Sequence, residues 1–182
     1  MVLTPSSMVA LGTTAPGFAL PDSEGRTVRR ADFAGKPLLV VFLCNHCPYV
    51  KHIANDLAML ARKWAEKGVA VVGISSNDVA QYPDDSPDAM RLEHKRRGYA
   101  FPYLFDESQA VARAYDAQCT PDFFLYDAAH RLVYRGQMDD SRPGNGKPVT
   151  GADLTAAVDA VVAGKPPVAT QKPSMGCNIK WR

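Results

Sequence analysis

The sequence is short of several things, and each shortage removes a class of protein. It has only 4 cysteines in 182 residues, too few for a disulfide-stapled secreted scaffold. It has no excess of one charge: 21 Lys and Arg against 19 Asp and Glu leave a formal net charge of +2, which gives no footprint for a nucleic-acid partner. Its longest apolar run, Leu38 to Leu43, is far too short to span a bilayer, so no membrane association is expected. The first ten residues, MVLTPSSMVA, lack a basic start and a sustained apolar stretch. No secretory signal is expected, and a cytoplasmic chain with reduced thiols follows as the expectation. There is no internal repeat and no low-complexity tract, and a chain of this length suits one domain with a sizeable core.

What is present reads as an alternation of strands and helices. Phe18-Ala19-Leu20 and Thr27-Val28 flank a turn at Asp22-Ser23-Glu24-Gly25. The continuous apolar run at 38–43 suits a central strand buried on both faces. From about Pro48 to Lys67, Ile53, Leu57, Leu60 and Trp64 recur at helical spacing until Gly68. A second buried strand covers 69–74. Ser86, Pro87 and Gly98 bracket a helix over 87–97. Asp106 and Gln109 look like a capping box opening a short helix to Tyr115. Residues 123–126 and 132–135 read as a hairpin, 153–162 as a last helix, and 164–172 as a Pro-rich connection. The pattern predicts an α/β fold with a central mixed β-sheet flanked by helices. It is divided here into a domain over 1–163 and a Cys-containing tail over 164–182 that packs on it.

The chemistry concentrates in CNHCPYVKH, residues 44–52. Cys44 and Cys47 fall at the carboxyl end of the first central strand, where a helix begins, and sites in open α/β sheets gather at such edges. A free thiol near pKa 8.5 is only about 3% ionised at pH 7. A helix N-terminus contributes roughly half a positive charge and lowers that value. Cys44 is expected in that field with Cys47 one turn in, so that one sulfur attacks and the other resolves the mixed disulfide. His46 adds a positive charge when protonated, or is a solvated residue at a helix start. The competing reading of Cys44 and Cys47 is half of a zinc site or a non-catalytic thiol module. Zinc asks for four ligands, usually from two close pairs, whereas Cys119 and Cys177 are isolated, so no metal and no cofactor are expected. His52, His94 and His130 read as surface residues and Asp84-Asp85 as a solvated turn. Asp139-Asp140-Ser141-Arg142 reads as an ion-paired turn or as part of the rim of the site.

Motifs along nearly the whole chain add to this. They are GTTAPGFAL (12–20), CNHCPYVKH, GISSNDVAQYPDDSP (73–87), FPYLFDE (101–107), CTPDFFLYD (119–127), YRGQMDDSRP (134–143) and PSMGCNIKW (173–181). Together they resemble the thioredoxin-fold superfamily on its peroxiredoxin-like, redoxin branch. The resemblance implies a thioredoxin fold with a peroxiredoxin-like N-terminal extension, and a thiol–disulfide oxidoreductase that exchanges with a disulfide substrate, protein or small molecule, and a thiol electron donor. It implies Cys44 as the attacking cysteine, Cys47 as the resolving one, a cis bond before Pro121, and a Thr120 backbone offered to an extended substrate. The chain departs from thioredoxins proper in having Leu43 before the pair, Asn45-His46 within it, and no buried acid in 38–43. It departs from peroxiredoxins too: aligned on Cys47, the peroxidatic threonine and proline positions hold Cys44 and Val40. His46 resembles the histidine of disulfide-introducing oxidases, without their proline. A thiol peroxidase is therefore the alternative activity. Cys119 precedes Thr120-Pro121, and the 164–176 connection could extend roughly 40 Å. Cys119 and Cys177 are thus expected as an accessory redox pair, or Cys177 as a free thiol on a tail anchored by Ile179 and Trp181.

Overall fold

The computed structural model describes residues 1–182. Its strands are β1 (Leu3–Pro5), β2 (Ala19–Pro21), β3 (Thr27–Arg29), β4 (Leu38–Phe42), β5 (Ala70–Ser75), β6 (Tyr103–Phe105), β7 (Cys119–Thr120), β8 (Asp122–Tyr126), β9 (Leu132–Gly136) and β10 (Met175–Asn178). Its α-helices are α1 (Pro48–Glu66), α2 (Pro87–Arg97), α3 (Ala110–Ala114) and α4 (Ala152–Val162).

The run Leu-Leu-Val-Val-Phe has no polar side chain to turn to water, and it becomes β4, buried at every position. β4 is the middle of a five-stranded sheet in the order β6-β5-β4-β8-β9. β5 lies parallel to it and β8 antiparallel, so the sheet is mixed. Alternating side chains of β4 divide the core. Leu39 and Val41 join Leu57, Trp64, Leu154 and Val158 of the helices on one face. Leu38, Val40 and Phe42 join Val111, Tyr115, Phe124 and the N-terminal Phe18 and Leu20 on the other. Truncating a wholly buried side chain such as Leu57 in such a core costs about 3 kcal/mol.

α1 begins at Pro48, whose missing N–H costs nothing at the first helical position. Its buried stripe of Ile53, Leu57, Leu60 and Trp64 is the one the spacing predicts. α2 opens on Ser86, whose Oγ accepts the Ala89 amide at 3.3 Å, and ends at Gly98 with φ 67°. The short α3 departs from the expected capping box. Gln109 is a left-handed N-cap that caps nothing with its side chain. The Asp106 carboxylate accepts the Val111 and Ala112 amides instead, at 3.4 and 2.9 Å. Gln109 is free to donate to the carbonyls of Ser76 and Lys180.

A second sheet was not legible in the sequence. It has the order β1-β10-β7, with Cys177 opposite both Leu3 and Thr120. Its strands are too short to show alternation, and they come from the N-terminus, the C-terminus and the middle of the chain. Two glycines permit the approach. A Cβ at Gly176 would overlap the Thr120 carbonyl, and one at Gly136, where φ is 138°, would overlap the Lys172 carbonyl. The tail after α4 is laced down by Ile179, which is buried in the core face of Phe42. The expected anchor Trp181 is instead 36% exposed and stacks under the Arg113 guanidinium at 4.6 Å.

Candidate active site

β4 delivers the chain to the edge of the sheet at Phe42, and Leu43 and Cys44 continue from it before α1 starts. Cys47 is itself the N-cap of α1. This corrects the sequence expectation: the helix field falls most directly on Cys47, and Cys44 stands three residues outside the first turn. Both cysteines are buried. Thr120, the residue before the cis Thr120–Pro121 bond, lies between them. Its Oγ1 is 3.5 Å from Cys44 Sγ and its carbonyl oxygen 3.3 Å from Cys47 Sγ.

The structure brings Cys177 to Cys47, not to Cys119. In the β10–β7 ladder Cys177 faces Thr120 and Asn178 faces Cys119, so the two cysteine side chains leave opposite faces. Cys177 joins Cys44 and Cys47 in one core cluster, and its thiol reaches Met1 Sδ at 3.1 Å. Cys119 points to the Pro121 carbonyl at 3.6 Å. The Cys119–Cys177 pairing is thus corrected by register: neighbours along a strand point to opposite sides. All four cysteines are free thiols.

Three sulfurs therefore lie in one buried core cluster. Hydrogen bonds from Cys177 and from Cys44 outweigh the burial of Cys47 and hold its pKa below the usual thiol range. The same bond to Cys47, then burial and the negative Asp85 carboxylate, push Cys44 well above it. Cys177 is raised by its bond to Cys47 and by burial. Cys119 is raised by burial and by the neighbouring Asp122. The most acidic sulfur of the reduced site is therefore Cys47, where sequence reasoning put Cys44. As a thiol, Cys47 donates to the Thr120 carbonyl at 3.3 Å.

The residue that sequence reasoning missed is Asp85, which is wholly buried. It ends a short 3-10 turn over Pro83–Asp85 and reaches under the Cys44–Cys47 loop. Its Oδ1 accepts the amides of Asn45 at 2.7 Å and His46 at 3.2 Å. Its Oδ2 accepts from Asn77 at 2.9 Å and meets His46 Nδ1 at 2.5 Å. Burial drives the Asp85 pKa up, but hydrogen bonds from His46 and Asn77, the His46 charge and the Asn45 amide more than reverse it, so the carboxyl is held below its usual range. His46 in turn stacks on Tyr82 at 5.1 Å, and Asn45 Oδ1 accepts from the buried Tyr103 hydroxyl at 2.9 Å. The signal available in the sequence was Asp-Asp-Ser-Pro, which is equally the signature of a solvated turn before a helix.

Cys44, His46 and Asp85 place candidate ligand atoms within 4.8 Å of one another. The donor chemistry does not fit a metal centre well, because both oxygens of Asp85 and Nδ1 of His46 are already engaged with each other and with amides. The remaining expectations divide. His52 is hydrogen-bonded to Ser141 Oγ at 2.7 Å, in a cleft that Asp139, Ser141 and Arg142 share with Pro121. Asp139 also accepts the Thr150 and Gly151 amides at 2.9 and 2.7 Å, in the turn that leads into α4. His94 is half-buried on the Phe101 carbonyl. His130 is buried between the carbonyls of Phe33 and Lys36, each 3.1 Å from its Nε2.

Known proteins are similar to this chain in sequence and fold. Residues 11–135 match the model of the AhpC/TSA family. A thiol-disulfide oxidoreductase, ResA, from Geobacillus thermodenitrificans is 31% identical over 128 residues, 68% of this chain and 67% of that protein. The crystal structure of an uncharacterized conserved protein from Geobacillus kaustophilus is 50% identical, with a TM-score of 0.98 over 100% of this chain and 97% of that one. The solution structure of a putative thioredoxin from Neisseria meningitidis is 26% identical, with a TM-score of 0.64 over 82% of this chain and 90% of that one. The family match over most of the chain and the mixed sheet with its cysteine pair at the head of α1 lead to one conclusion: this chain has the thioredoxin fold and belongs to the AhpC/TSA family.

Proposed function

We propose that the protein is a thiol–disulfide oxidoreductase in which Cys44 attacks and Cys47 resolves. The observation that carries this reading is the pair of sulfurs flanking Thr120 at the N-terminus of α1. Cys44 stands next to Asn45 and His46 ahead of α1, and Cys47 is the N-cap of the helix; both are buried. At rest Cys47 carries the charge and Cys44 the proton, so Cys44 yields its proton to the Cys47 thiolate only as it attacks, with formation of the new S–S bond driving the transfer. The Cys44 thiolate attacks one sulfur of the substrate disulfide, and a mixed disulfide forms as the other substrate sulfur leaves. Cys47 passes its proton to that leaving thiolate, then attacks Cys44 Sγ and releases the reduced substrate. Two electrons have moved from the dithiol to the disulfide, and no cofactor takes part.

His46 and Asp85 serve this step by position and charge. The carboxylate fixes two amides of the loop and the imidazole, and its negative charge keeps Cys44 protonated until Cys47 draws the proton. The substrate approaches from the His46 side, because the Thr120 edge expected to receive an extended substrate is filled by β10. The partners under this reading are a disulfide, protein or small molecule, and a thiol donor. No helix is long and apolar enough to cross a membrane, and the reading takes a reducing cytoplasm as the compartment.

Cys44→Ser should abolish reduction of insulin disulfides by a dithiol donor, and Cys47→Ser should accumulate mixed disulfides on Cys44. Full turnover by Cys44→Ser would defeat the assignment. A thiol peroxidase is the second reading and has the family match in its favour. Against it stands Cys44 in place of the threonine of a peroxidatic motif. Peroxide consumption with the same donor separates the two.

A further inference from the structure

The C-terminal strand occupies an unusual place. β10 adds to β7 at Thr120, the residue whose hydroxyl and carbonyl oxygen contact Cys44 and Cys47. The residue that β10 sets opposite Thr120 is a cysteine. Gly176 lets the strand come this close, since a Cβ there would overlap the Thr120 carbonyl. The placement is held from both sides: Leu3 of β1 pairs with Cys177 on its far edge, and the Lys180 amide and carbonyl bond Asn77 and Asp78 beyond it at 2.9 and 2.8 Å. The tail thus sits where an extended substrate would lie and carries a thiol of its own into the core cluster of Cys44 and Cys47.

We infer that Cys177 is a third redox thiol of this site, which takes Cys47 over from Cys44 to form a Cys47–Cys177 disulfide. The inference rests on the reading of Cys44 and Cys47 as a redox pair and adds a step to it. The Cys177 thiolate attacks Sγ of Cys47 in the Cys44–Cys47 disulfide. The Cys47–Cys177 bond forms, the Cys44–Cys47 bond breaks, and Cys44 leaves as a thiolate that takes up the proton Cys177 gave away. The step is an isomerisation: before and after it the three cysteines hold one bridge and one thiol, and no electrons enter or leave. Its result is an oxidised protein with Cys44 free to accept another substrate or the donor.

The environment gates this step. While Cys47 is a thiolate, its charge keeps Cys177 protonated, by a hydrogen bond and by repulsion. Oxidation of Cys47 removes that charge. What then remains is burial, which still opposes ionisation of Cys177, against the Lys180 ammonium and the Tyr49 amide at the head of α1, which favour a thiolate. Oxidation of Cys47 therefore eases ionisation of Cys177, and the ladder that sets Cys177 opposite Thr120, whose carbonyl meets Cys47 Sγ at 3.3 Å, supplies the placement for exchange. Cys119, on the other face of the ladder, takes no part.

Disulfide mapping by mass spectrometry after acid quenching tests this on the full chain. Cys44→Ser is incubated with oxidised glutathione, which can place a glutathionyl group on Cys47. The expected product is a Cys47–Cys177 bridge with the glutathione released, so that three thiols fall to one, Cys119. A persistent glutathione adduct on Cys47, with Cys177 free, overturns the inference. The wild-type protein gives the same decision without a mutation. Titrated across glutathione ratios, it should show both Cys44–Cys47 and Cys47–Cys177, in a proportion that stays constant as the potential changes, because their interconversion transfers no electrons. In Cys177→Ser only the first bridge should remain. Wild-type protein with the Cys44–Cys47 bridge alone at every ratio sinks the third thiol and leaves the functional reading standing. Protein with no bridge to Cys47 at all sinks both.

Discussion

Asp85 and Asp122 are both wholly buried, yet their surroundings send them in opposite directions. Four donors converge on Asp85, two of them amides of the cysteine loop and one the His46 ring. Asp122 follows the cis-proline and lies opposite Phe42 in the sheet. Its Oδ2 accepts one amide, from Gln118 at 3.2 Å, and its Oδ1 has no partner. Burial pushes Asp122 up to about 7, and the nearby Gln118, Ser6 and Cys119 groups only partly oppose it. For Asp85 the donors win and the carboxyl is held down. Burial alone does not decide the charge of a carboxyl; the number of donors aimed at it does. The acid that organises the redox loop is the one with the donors. Asp122 shares the sheet face of Phe42, away from Cys47, and its charge bears on Cys119 instead.

The largest expected effect breaks this comparison at Asp122. A carboxyl whose folded pKa stands near 7 against 3.8 unfolded favours the fold when protonated. Its contribution is fully present below the unfolded value and is lost as pH rises from about 4 to about 7, by up to about 4 kcal/mol. Asp122→Asn should remove that slope, gaining on the wild type between pH 4 and pH 8 in urea denaturation. Parallel pH profiles for the two proteins would show that Asp122 does not titrate in this window.

At Asp85 the sign reverses. Its depressed folded pKa stabilises the protein at pH values above the unfolded value, and that stability is lost as pH falls through the folded one. Asp85→Asn leaves the loop amides and the imidazole facing a weaker acceptor and should cost about 3 kcal/mol at pH 7. It should also move the pH profile of Cys44 alkylation to lower pH, because the negative charge that raises Cys44 is gone. A loss under about 0.5 kcal/mol with an unmoved Cys44 profile, against the surface expectation, would show that the four donors do not hold the loop.

A smaller change sharpens the same point. His46→Ala removes one donor of the four, and His46 is only partly buried, so a loss of about 1.5 kcal/mol is expected. The Asp85 carboxyl should then titrate at higher pH, which carboxyl-resolved NMR reads directly. An unchanged Asp85 titration would assign its low pKa to the amides and Asn77 alone.

Much of the fold was legible because its signals are local. β4 is a run of five apolar residues, α1 a stripe at helical spacing after a proline, and α2 a capped segment between Ser86 and Gly98. The cysteine pair at a strand end was legible for the same reason, since strand, turn and helix follow one another along the chain. β1, β7 and β10 were not: each is at most four residues long, and what stabilises them is pairing between segments far apart along the chain.

The sequence by itself determined which chemistry is present: two thiols two residues apart, a histidine between them, and a proline to start the helix behind them. Only the tertiary structure decided which groups set their charge. Asp85 lies 40 residues from Asn45 along the chain and Thr120 lies 73 from Cys47, and Cys177 arrives through a register that no local pattern fixes. Electrostatic interactions and sulfur exchange act across a few ångströms, whatever the separation in sequence. A turn-like Asp-Asp-Ser-Pro and a lone cysteine near the C-terminus therefore acquire their roles only where the fold brings them beside Cys44 and Cys47.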